Sequence, residues 1–151
     1  MSRKETQDVA LLETDGIFDI QIDSEGDILT KDFFDTSLLM SVFCERRALA
    51  SEMPASHLRR GWIGNTVTEG FEIGSKLWLW YQARLNSDTL NGITTAIRNA
   101  LAWLVEGEFV VSYDVETIFN NNGAFVQITI VRSNSKVEKR LFELWQKTGR
   151  L

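Results

Sequence analysis

Apolar residues recur at helical spacing through the middle of the chain. Between residues 36 and 48 they share one face, which predicts a first helix over that stretch. The same spacing predicts a second helix over residues 72–85. A third is predicted with Ser87 or Asp88 as its N-cap, and it is expected to end at Gly107, a natural C-terminal stop.

Apolar and polar residues alternate toward both ends of the chain. Residues 9–12 and 17–22 flank a turn and predict a short N-terminal β-hairpin or arm. Residues 109–119, 125–131 and 137–145 predict a three-stranded antiparallel meander, with turns rich in Asn, Ser and Gly between its strands. The expected fold class is therefore α+β, with about three helices packed on a mainly antiparallel C-terminal sheet.

Chain length and polarity predict one folded domain. The 151 residues suffice for a buried core without disulfides. We expect residues 9–147 to form a single α+β domain, between a flexible tail of residues 1–8 and a C-terminal tail of residues 148–151. No apolar run is long enough to span a membrane, and the polar N-terminus lacks the apolar segment of a secretory signal.

Charge and residue counts narrow the chemistry. The net charge of −5 argues against nonspecific binding to nucleic acid or to anionic membranes. A single cysteine, Cys44, excludes an intrachain disulfide and a cysteine-cluster metal site, and His57 is the only histidine. Cys44 lies within a predicted helix and is expected to act as a small apolar residue. We predict no cofactor, no metal site and no catalytic residue.

Acidic residues leave two chemical alternatives to weigh. Residues 23–27 faintly resemble a calcium loop, but the glycine comes fourth, where an EF-hand needs it sixth, and Phe34 stands where the loop needs a glutamate. A hairpin turn is the better interpretation. A pair of carboxylates across a cleft is the minimum for glycoside hydrolysis. With 21 acidic residues the sequence leaves that possibility open.

A long loop over residues 51–68 contains the motif RRGWIG at residues 59–64. One interpretation is a docking loop in which Trp62 is the anchor and Arg59 and Arg60 form its rim, because Trp and Arg are enriched at interface hot spots. A second is an ordinary loop folded onto its own core. A third is RNA binding through the Gly-x-x-Gly, which the apolar middle residues disfavour.

Two arginines fall on predicted apolar helix faces. Arg46 projects into the first stripe and Arg84 into the second, while Arg47 lies at the margin of the first. An arginine is costly to bury alone. Each is therefore expected either to form an ion pair or cap a carbonyl within the chain, or to reach a partner subunit. Candidate carboxylates include those of the following residues: Glu108, Asp114 and Glu116.

Two further tryptophans are candidates for contact with a partner. Trp103 lies well off the apolar stripe of the third helix, so a second layer or a partner is expected to cover it. Leu144 and Trp145 end the last strand, which is either packed in the core or a sheet edge that adds a strand from a neighbouring chain. Lys139 and Arg140 could protect such an edge.

Four segments together resemble a phage protein family. They are CERRA at 44–48, RRGWIG at 59–64, GSKLWL at 74–79 and AWLVEG at 102–107. In this order they resemble the small baseplate protein of Mu-like contractile tails, gene product forty-six. Some wider relatives carry Glu-Pro-Arg at the end of the first helix, where this chain has Glu-Arg-Arg without the proline.

The resemblance implies a non-enzymatic wedge subunit of a contractile-tail baseplate. It implies assembly in the host cytoplasm and then a place in the virion tail, with six copies around the axis. The implied partners are the larger wedge proteins, the hub and the sheath, whose subunits a sheet edge of the wider relatives can mimic. A muramidase-type tail enzyme with a Glu/Asp pair is the alternative. The predicted partner-binding residues are Arg46, Arg47, Arg59, Arg60, Trp62, Trp103, Leu144 and Trp145.

Overall fold

A computed structural model describes residues 7–14, 17–67, 70, 72–81, 83–84, 86–121 and 123–146. The chain groups into two compact units, divided between Met40 and Ser41. The single domain over residues 9–147 stays a prediction. The C-terminal tail at 148–151 and most of the N-terminal one lie outside the described residues.

The first unit consists mainly of short antiparallel strands. β1 (Gln7–Val9) pairs with β4 (Thr30–Asp32), and β2 (Leu11–Thr14) forms a hairpin with β3 (Ile17–Ile20). The N-terminal hairpin is thus confirmed. β4 was not predicted, and β1 begins inside the segment expected to be a tail.

Residues 23–27 form a turn held by one aspartate. Asp23 Oδ1 accepts hydrogen bonds from the backbone N–H groups of Glu25 and Asp27, at 2.8 and 3.0 Å. An antiparallel bridge between Ile22 and Ile28 closes the turn. The hairpin-turn interpretation of this segment is confirmed, since the carboxylate satisfies the turn's own donors.

The first helix, α1 (Phe33–Phe43), crosses the division between the units. It begins three residues before the predicted start at 36 and ends five before the predicted end at 48. The early end has a local cause. The backbone N–H of Arg46 donates to Ser75 O, and the N–H of Ser75 donates to Cys44 O, each at 2.9 Å. These bonds to Ser75, a residue distant in sequence, replace helical bonds that residues 44–48 would have made.

The helix predicted over residues 72–85 is wrong. Residues 72–76 have no helical structure and contain one isolated β-bridge at Ser75, and only Leu77–Trp80 forms a short 3-10 helix. Gly74 has φ +111°, which a right-handed helix excludes. Arg84 is accordingly exposed on a loop and does not lie on an apolar helical face.

The third predicted helix is confirmed in position but is divided. The N-cap of α2 (Ser87–Ala100) is Asn86, whose side chain accepts from the N–H of Thr89 at 2.9 Å, and not Ser87 or Asp88 as predicted. After a turn, α3 (Trp103–Glu106) ends at Gly107. Among the described residues only two α-helices exceed four residues, α1 and α2, so the predicted number of about three is wrong. No described helix is long and apolar enough to cross a bilayer.

The C-terminal meander is confirmed. β5 (Ser112–Asn120), β6 (Gly123–Val131) and β7 (Val137–Gln146) form one antiparallel sheet in that order. Alternate residues of β6 are fully buried, as period-two burial requires. α2 packs on β5, where the hydroxyls of Thr94 and Thr117 lie 2.8 Å apart. The fold class α+β therefore stands.

Candidate partner-binding surface

The loop over residues 44–67, here called the arginine–tryptophan loop, is anchored at Ser75. The Ser75 side chain is buried and its Oγ donates to Val42 O at 2.6 Å. The same oxygen accepts from the backbone N–H of Leu77 at 3.2 Å. The backbone of Ser75 also forms a parallel bridge with residues 44–46. The base of the loop is therefore fixed by backbone hydrogen bonds and by the two buried bonds of the Ser75 hydroxyl.

Arg46 caps a carbonyl, one of the two roles weighed for it. Its Nη2 donates to Glu72 O at 2.7 Å, and its Nε lies 3.8 Å from Glu72 Oε2. The three carboxylates considered from the sequence are wrong for this role. One of them, Asp114, lies 3.6 Å from Arg98 instead.

Arg47 and Arg59 brace the loop from within. Arg47 donates to Arg60 O at 3.1 Å and to Ser56 O at 3.0 Å. Arg59 donates to Met53 O at 2.8 Å and to Pro54 O at 2.9 Å. A loop without regular structure must find partners for its carbonyls, and these guanidinium groups supply them. Whether either arginine also touches a partner stays a prediction.

Arg60 connects the loop to a buried tryptophan. Its guanidinium carbon lies 5.1 Å from the ring centre of Trp78, within cation–π range, and its Nη2 lies 2.5 Å from Glu45 Oε1. Trp78 Nε1 in turn donates to Arg46 O at 2.9 Å. The sequence analysis missed this use of Trp78 and Glu45, although both lie in the quoted segments.

The two glycines of RRGWIG allow close packing. A Cβ on Gly64 would overlap the indole of Trp62, and a Cβ on Gly61 would lie 3.1 Å from Arg47 Cβ. The N–H of Trp62 donates to Glu45 O at 2.7 Å. Trp62 is therefore half-buried over its own loop. The Gly-x-x-Gly is accounted for by packing, which removes the observation that suggested RNA binding.

Ile63 and Val67 take the outward position that the sequence suggested for Trp62. Their residues are 79% and 81% exposed, the highest fractions among the exposed large apolar residues of the described chain. Both lie on the short 3-10 helix Ile63–Thr66 or directly after it. The sequence analysis missed them. A possible signal was the small residue Gly64, which draws the neighbouring indole inward and turns Ile63 out.

Trp103 is engaged within its own chain. Its Nε1 donates to Ser41 Oγ at 2.9 Å, and its ring meets the Phe109 ring edge-on with centroids 5.3 Å apart. The indole is half-buried. Ser41 and Phe109 therefore cover part of the Trp103 side chain. A partner protein could contact only the part that remains exposed.

Among the described strands, β7 is an edge of the sheet. Val137 and Leu141 are exposed on it. The register shifts between Ala124 and Phe125, so that Leu144 is the additional residue of a β-bulge and is half-buried. The Trp145 side chain lies outside the described residues.

Four charged side chains meet where β6 turns into β7. Glu138 lies 3.2 Å from Arg132, 3.4 Å from Lys136 and 3.6 Å from Arg140. Burial raises the pKa of the Glu138 carboxyl, but hydrogen bonds from Arg132 and Lys136 and the nearby positive charges outweigh it. The pKa therefore lies below its ordinary value.

A groove of about 670 Å³ lies between the Leu77–Trp80 turn and α2. Glu52 is the one acidic side chain among the described residues that line it, and it lies 2.8 Å from Lys76 Nζ. Burial raises the pKa of Glu52, but hydrogen bonds from Lys76 and Leu49 and the charge of Lys76 bring it below the ordinary value. A glycosidase needs two carboxyls and an acid with a raised pKa, which this groove does not offer.

The thiol of Cys44 is poorly suited to nucleophilic chemistry. Burial, and then the charge of Glu45, raise its pKa, which lowers the thiolate fraction at neutral pH. Within the described residues, no three His, Cys, Asp or Glu side chains cluster closely enough to hold a metal ion.

Comparison with known proteins assigns the chain to a family. Residues 34–137, more than half of the chain, match the model of a family described as phage protein GP46. The chain belongs to this GP46 family. The matched range holds the whole arginine–tryptophan loop, the groove and β5 and β6.

Two curated relatives carry the same gene-product number. Baseplate protein gp46 of Escherichia phage Mu is 39% identical over 99 residues, which cover 64% of this chain and 67% of the relative. Mu-like prophage FluMu protein gp46 of Haemophilus influenzae is 28% identical over 138 residues, 89% of this chain and 94% of the relative. The GP46 resemblance inferred from the four segments is thus confirmed.

Proposed function

We propose that this GP46 protein is a structural subunit of the tail baseplate in a Mu-like contractile phage or prophage. It acts without catalysis, by joining wedge, hub and sheath proteins. Membership of the GP46 family and the baseplate name of the phage Mu relative support this role. The single structural observation that carries it is the pair Ile63 and Val67, presented outward by an internally braced loop.

The energetics favour this loop as a docking element. Covering both side chains would contribute on the order of 3 kcal/mol. The bonds from Arg46, Arg47 and Arg59 already order the loop, so association costs less conformational entropy than it would for a mobile one. Exposed parts of Arg60 and Trp62 form the rim around this apolar centre.

The outer edge of β7 is the second surface of the proposal. No described strand pairs with this edge, which carries the exposed side chains of Val137 and Leu141. A strand from a neighbouring subunit can add there, with backbone hydrogen bonds giving affinity. Leu144 and Trp145, at the end of β7, extend this surface.

The resemblance supplies the remaining details of the proposal. The protein assembles in the host cytoplasm and then occupies the virion tail, as six copies around the axis. Its contacts use the loop and the sheet edge, and no nucleic acid or membrane takes part.

The test is complementation of a phage or prophage that lacks this gene. A variant with Ile63→Ser and Val67→Ser should fold with an unchanged melting temperature, yet be lost from purified tails by mass spectrometry. Val111→Ser is the matched control, because Val111 is an exposed valine outside both proposed surfaces. Normal incorporation of the double variant would show that the loop is not the docking element, and absence of the wild-type protein from tails would refute the baseplate role.

The enzymatic alternative has its own test. Purified protein should leave the turbidity of a peptidoglycan suspension unchanged over hours. Clearing of the suspension, abolished by Glu52→Gln, would establish a muramidase and overturn the non-enzymatic role.

A further inference from the structure

Three backbone segments meet at one junction in the N-terminal unit. The N–H of Gln21 donates to Ala10 O at 3.0 Å, that of Leu29 to Gln21 O at 2.9 Å, and that of Ala10 to Leu29 O at 2.9 Å. Gln21 lies opposite Ala10, next to the paired residues Leu11 and Ile20, so their side chains share a face. Ala10 is buried, and so is the side-chain oxygen of Gln21. This face of the junction is therefore the covered one.

Three isoleucines lie on the opposite face, here called the isoleucine face. Ile20 and Ile22 flank Gln21, and side chains of an extended chain alternate between faces. An antiparallel bridge pairs Ile28 with Ile22, so Ile28 lies on the same face. Their residues are 48%, 58% and 49% exposed. A cluster of half-exposed aliphatic residues is the kind of patch that marks an interaction site.

Uncompensated negative charge surrounds the isoleucine face. Residues 5–30 contain eight acidic residues and no basic one, whereas the rest of the chain contains thirteen acidic residues against sixteen Lys and Arg. Among the described residues, no Lys or Arg lies within ion-pair distance of the four carboxylates next to the isoleucines in sequence, those of Asp19, Asp23, Glu25 and Asp27. The charge of this rim therefore favours a cationic partner.

The arginine–tryptophan loop presents a surface of the opposite charge. The N–H of Ala48 donates to Arg59 O at 3.0 Å, which brings the adjacent residues Leu49 and Leu58 to the same part of the loop. These two residues, here called the leucine pair, are 58% and 50% exposed. The guanidinium groups of Arg47 and Arg59 donate to carbonyl oxygens, and within the described part of the chain neither lies at ion-pair distance from a carboxylate. The leucine pair is thus an aliphatic centre beside two uncompensated cations.

We propose that the isoleucine face of one copy of this protein docks on the leucine pair of a second copy. Aliphatic side chains meet at the centre of the contact, and the carboxylates of residues 19–27 face Arg47 and Arg59 of the other copy. A second copy is the occupant because this chain itself carries both complementary surfaces. The contact uses neither Ile63 nor Val67, and it does not depend on the proposed baseplate role.

The size of the two surfaces predicts a weak contact. Five half-exposed aliphatic residues are far fewer than a stable interface uses, which buries about 800 Å² on each partner. We expect a monomer at about 1 μM and self-association at about 100 μM. In sedimentation velocity of the full-length protein, the weight-average sedimentation coefficient should rise over that range. Salt at about 0.5 M should reduce the rise, because it screens the charged rim.

A charge reversal tests the acidic rim. Glu25→Lys, in an exposed turn, should lower the association constant about ten-fold without lowering the melting temperature. Glu116→Lys is the matched control, because it makes the same change in net charge at an exposed glutamate on β5. It should associate as the wild type does.

Two complementary variants test the pairing of unlike surfaces. Ile22→Ser with Ile28→Ser removes the isoleucine face, and Leu49→Ser with Leu58→Ser removes the leucine pair. Each double variant alone should stay monomeric at about 100 μM, whereas an equimolar mixture should form a heterodimer, because each variant supplies the surface that the other lacks. If a serine variant unfolds, the two charge variants decide.

Four results would overturn the inference. They are a wild-type protein that stays monomeric at about 100 μM, a serine variant that self-associates like the wild type, a mixture that stays monomeric although both serine variants are folded, and equal weakening by Glu25→Lys and Glu116→Lys. A monomeric protein that is still incorporated into tails would leave the baseplate role standing. A self-associating protein that is absent from tails would refute that role and leave this contact standing.

Discussion

The indole of Trp62 lies over Gly64, so close that a Cβ at the glycine would overlap the ring. Because Gly64 has no side chain, the tryptophan folds back on its own loop. Ile63, between the two, is thereby left outward and largely exposed. The motif RRGWIG thus presents an aliphatic residue to solvent and keeps its aromatic one as support.

Gly64→Ala should displace the Trp62 ring. The glycine does not have a positive φ, so alanine fits the backbone and the overlap is with the ring alone. The displaced indole loses its partial burial, and we expect a red-shifted tryptophan emission and a stability lower by about 1–2 kcal/mol in urea unfolding.

A double-mutant cycle is the control for that prediction. In a Trp62→Ala background the added methyl group meets no ring, so Gly64→Ala should then cost much less than in the wild type. Equal costs in both backgrounds would show that the ring does not lie over Gly64 in solution.

The elements that could be predicted from sequence are those whose burial follows one local period. From Ala124 onward, β6 alternates between buried and partly exposed residues, and its alternation predicted the meander closely. In α2 the fully buried Ile93 and Ile97 lie four apart, as the helical pattern required. In both elements the secondary structure that forms has the same period as the pattern of buried residues.

The parts that could not be predicted depend on contacts between distant residues. Residues 72–85 have helical apolar spacing, but Ser75 pairs with residues 44–46. This pairing ends the first helix early and is incompatible with a helix at Ser75. Likewise, the partner of Arg46 is a carbonyl oxygen of Glu72, which no pattern of charged residues indicates. The burial of Trp62 depends on the absence of a side chain at Gly64, and the presence of a nearby glycine does not by itself indicate that a tryptophan is buried.

Gly74→Ala should be among the most damaging single changes in the chain. A Cβ there would lie 2.5 Å from Cys44 O, a backbone atom that is already hydrogen-bonded to Ser75, and Gly74 also has φ +111°. Clash and strain together should cost more than about 3 kcal/mol in urea unfolding.

Gly70→Ala separates these two costs. Gly70 also has a positive φ, +90°, but a Cβ there meets nothing within 4 Å. We expect a loss of only about 1–2 kcal/mol, due to backbone strain. If the two variants lost similar amounts of stability, the backbone pairing of Ser75 with residues 44–46 would be able to shift at little cost in free energy.

Glu138 should make the stability of the protein sensitive to acid. Hydrogen bonds and positive charges hold its pKa below the ordinary value, despite the opposing effect of burial. A carboxyl with a lower pKa in the folded state stabilises the protein fully above its unfolded pKa, and this contribution is lost as the pH falls through the folded pKa. Glu138→Gln should therefore lower the free energy of unfolding by about 1 kcal/mol at neutral pH, and by progressively less below about pH 4.

Urea unfolding of the Glu138→Gln variant, measured at intervals from about pH 7 to pH 3, tests this prediction. Glu116→Gln is the control, because Glu116 is an exposed glutamate on β5. A Glu138→Gln cost that stayed constant with pH would show that the meeting of Glu138 with Arg132, Lys136 and Arg140 does not form in solution.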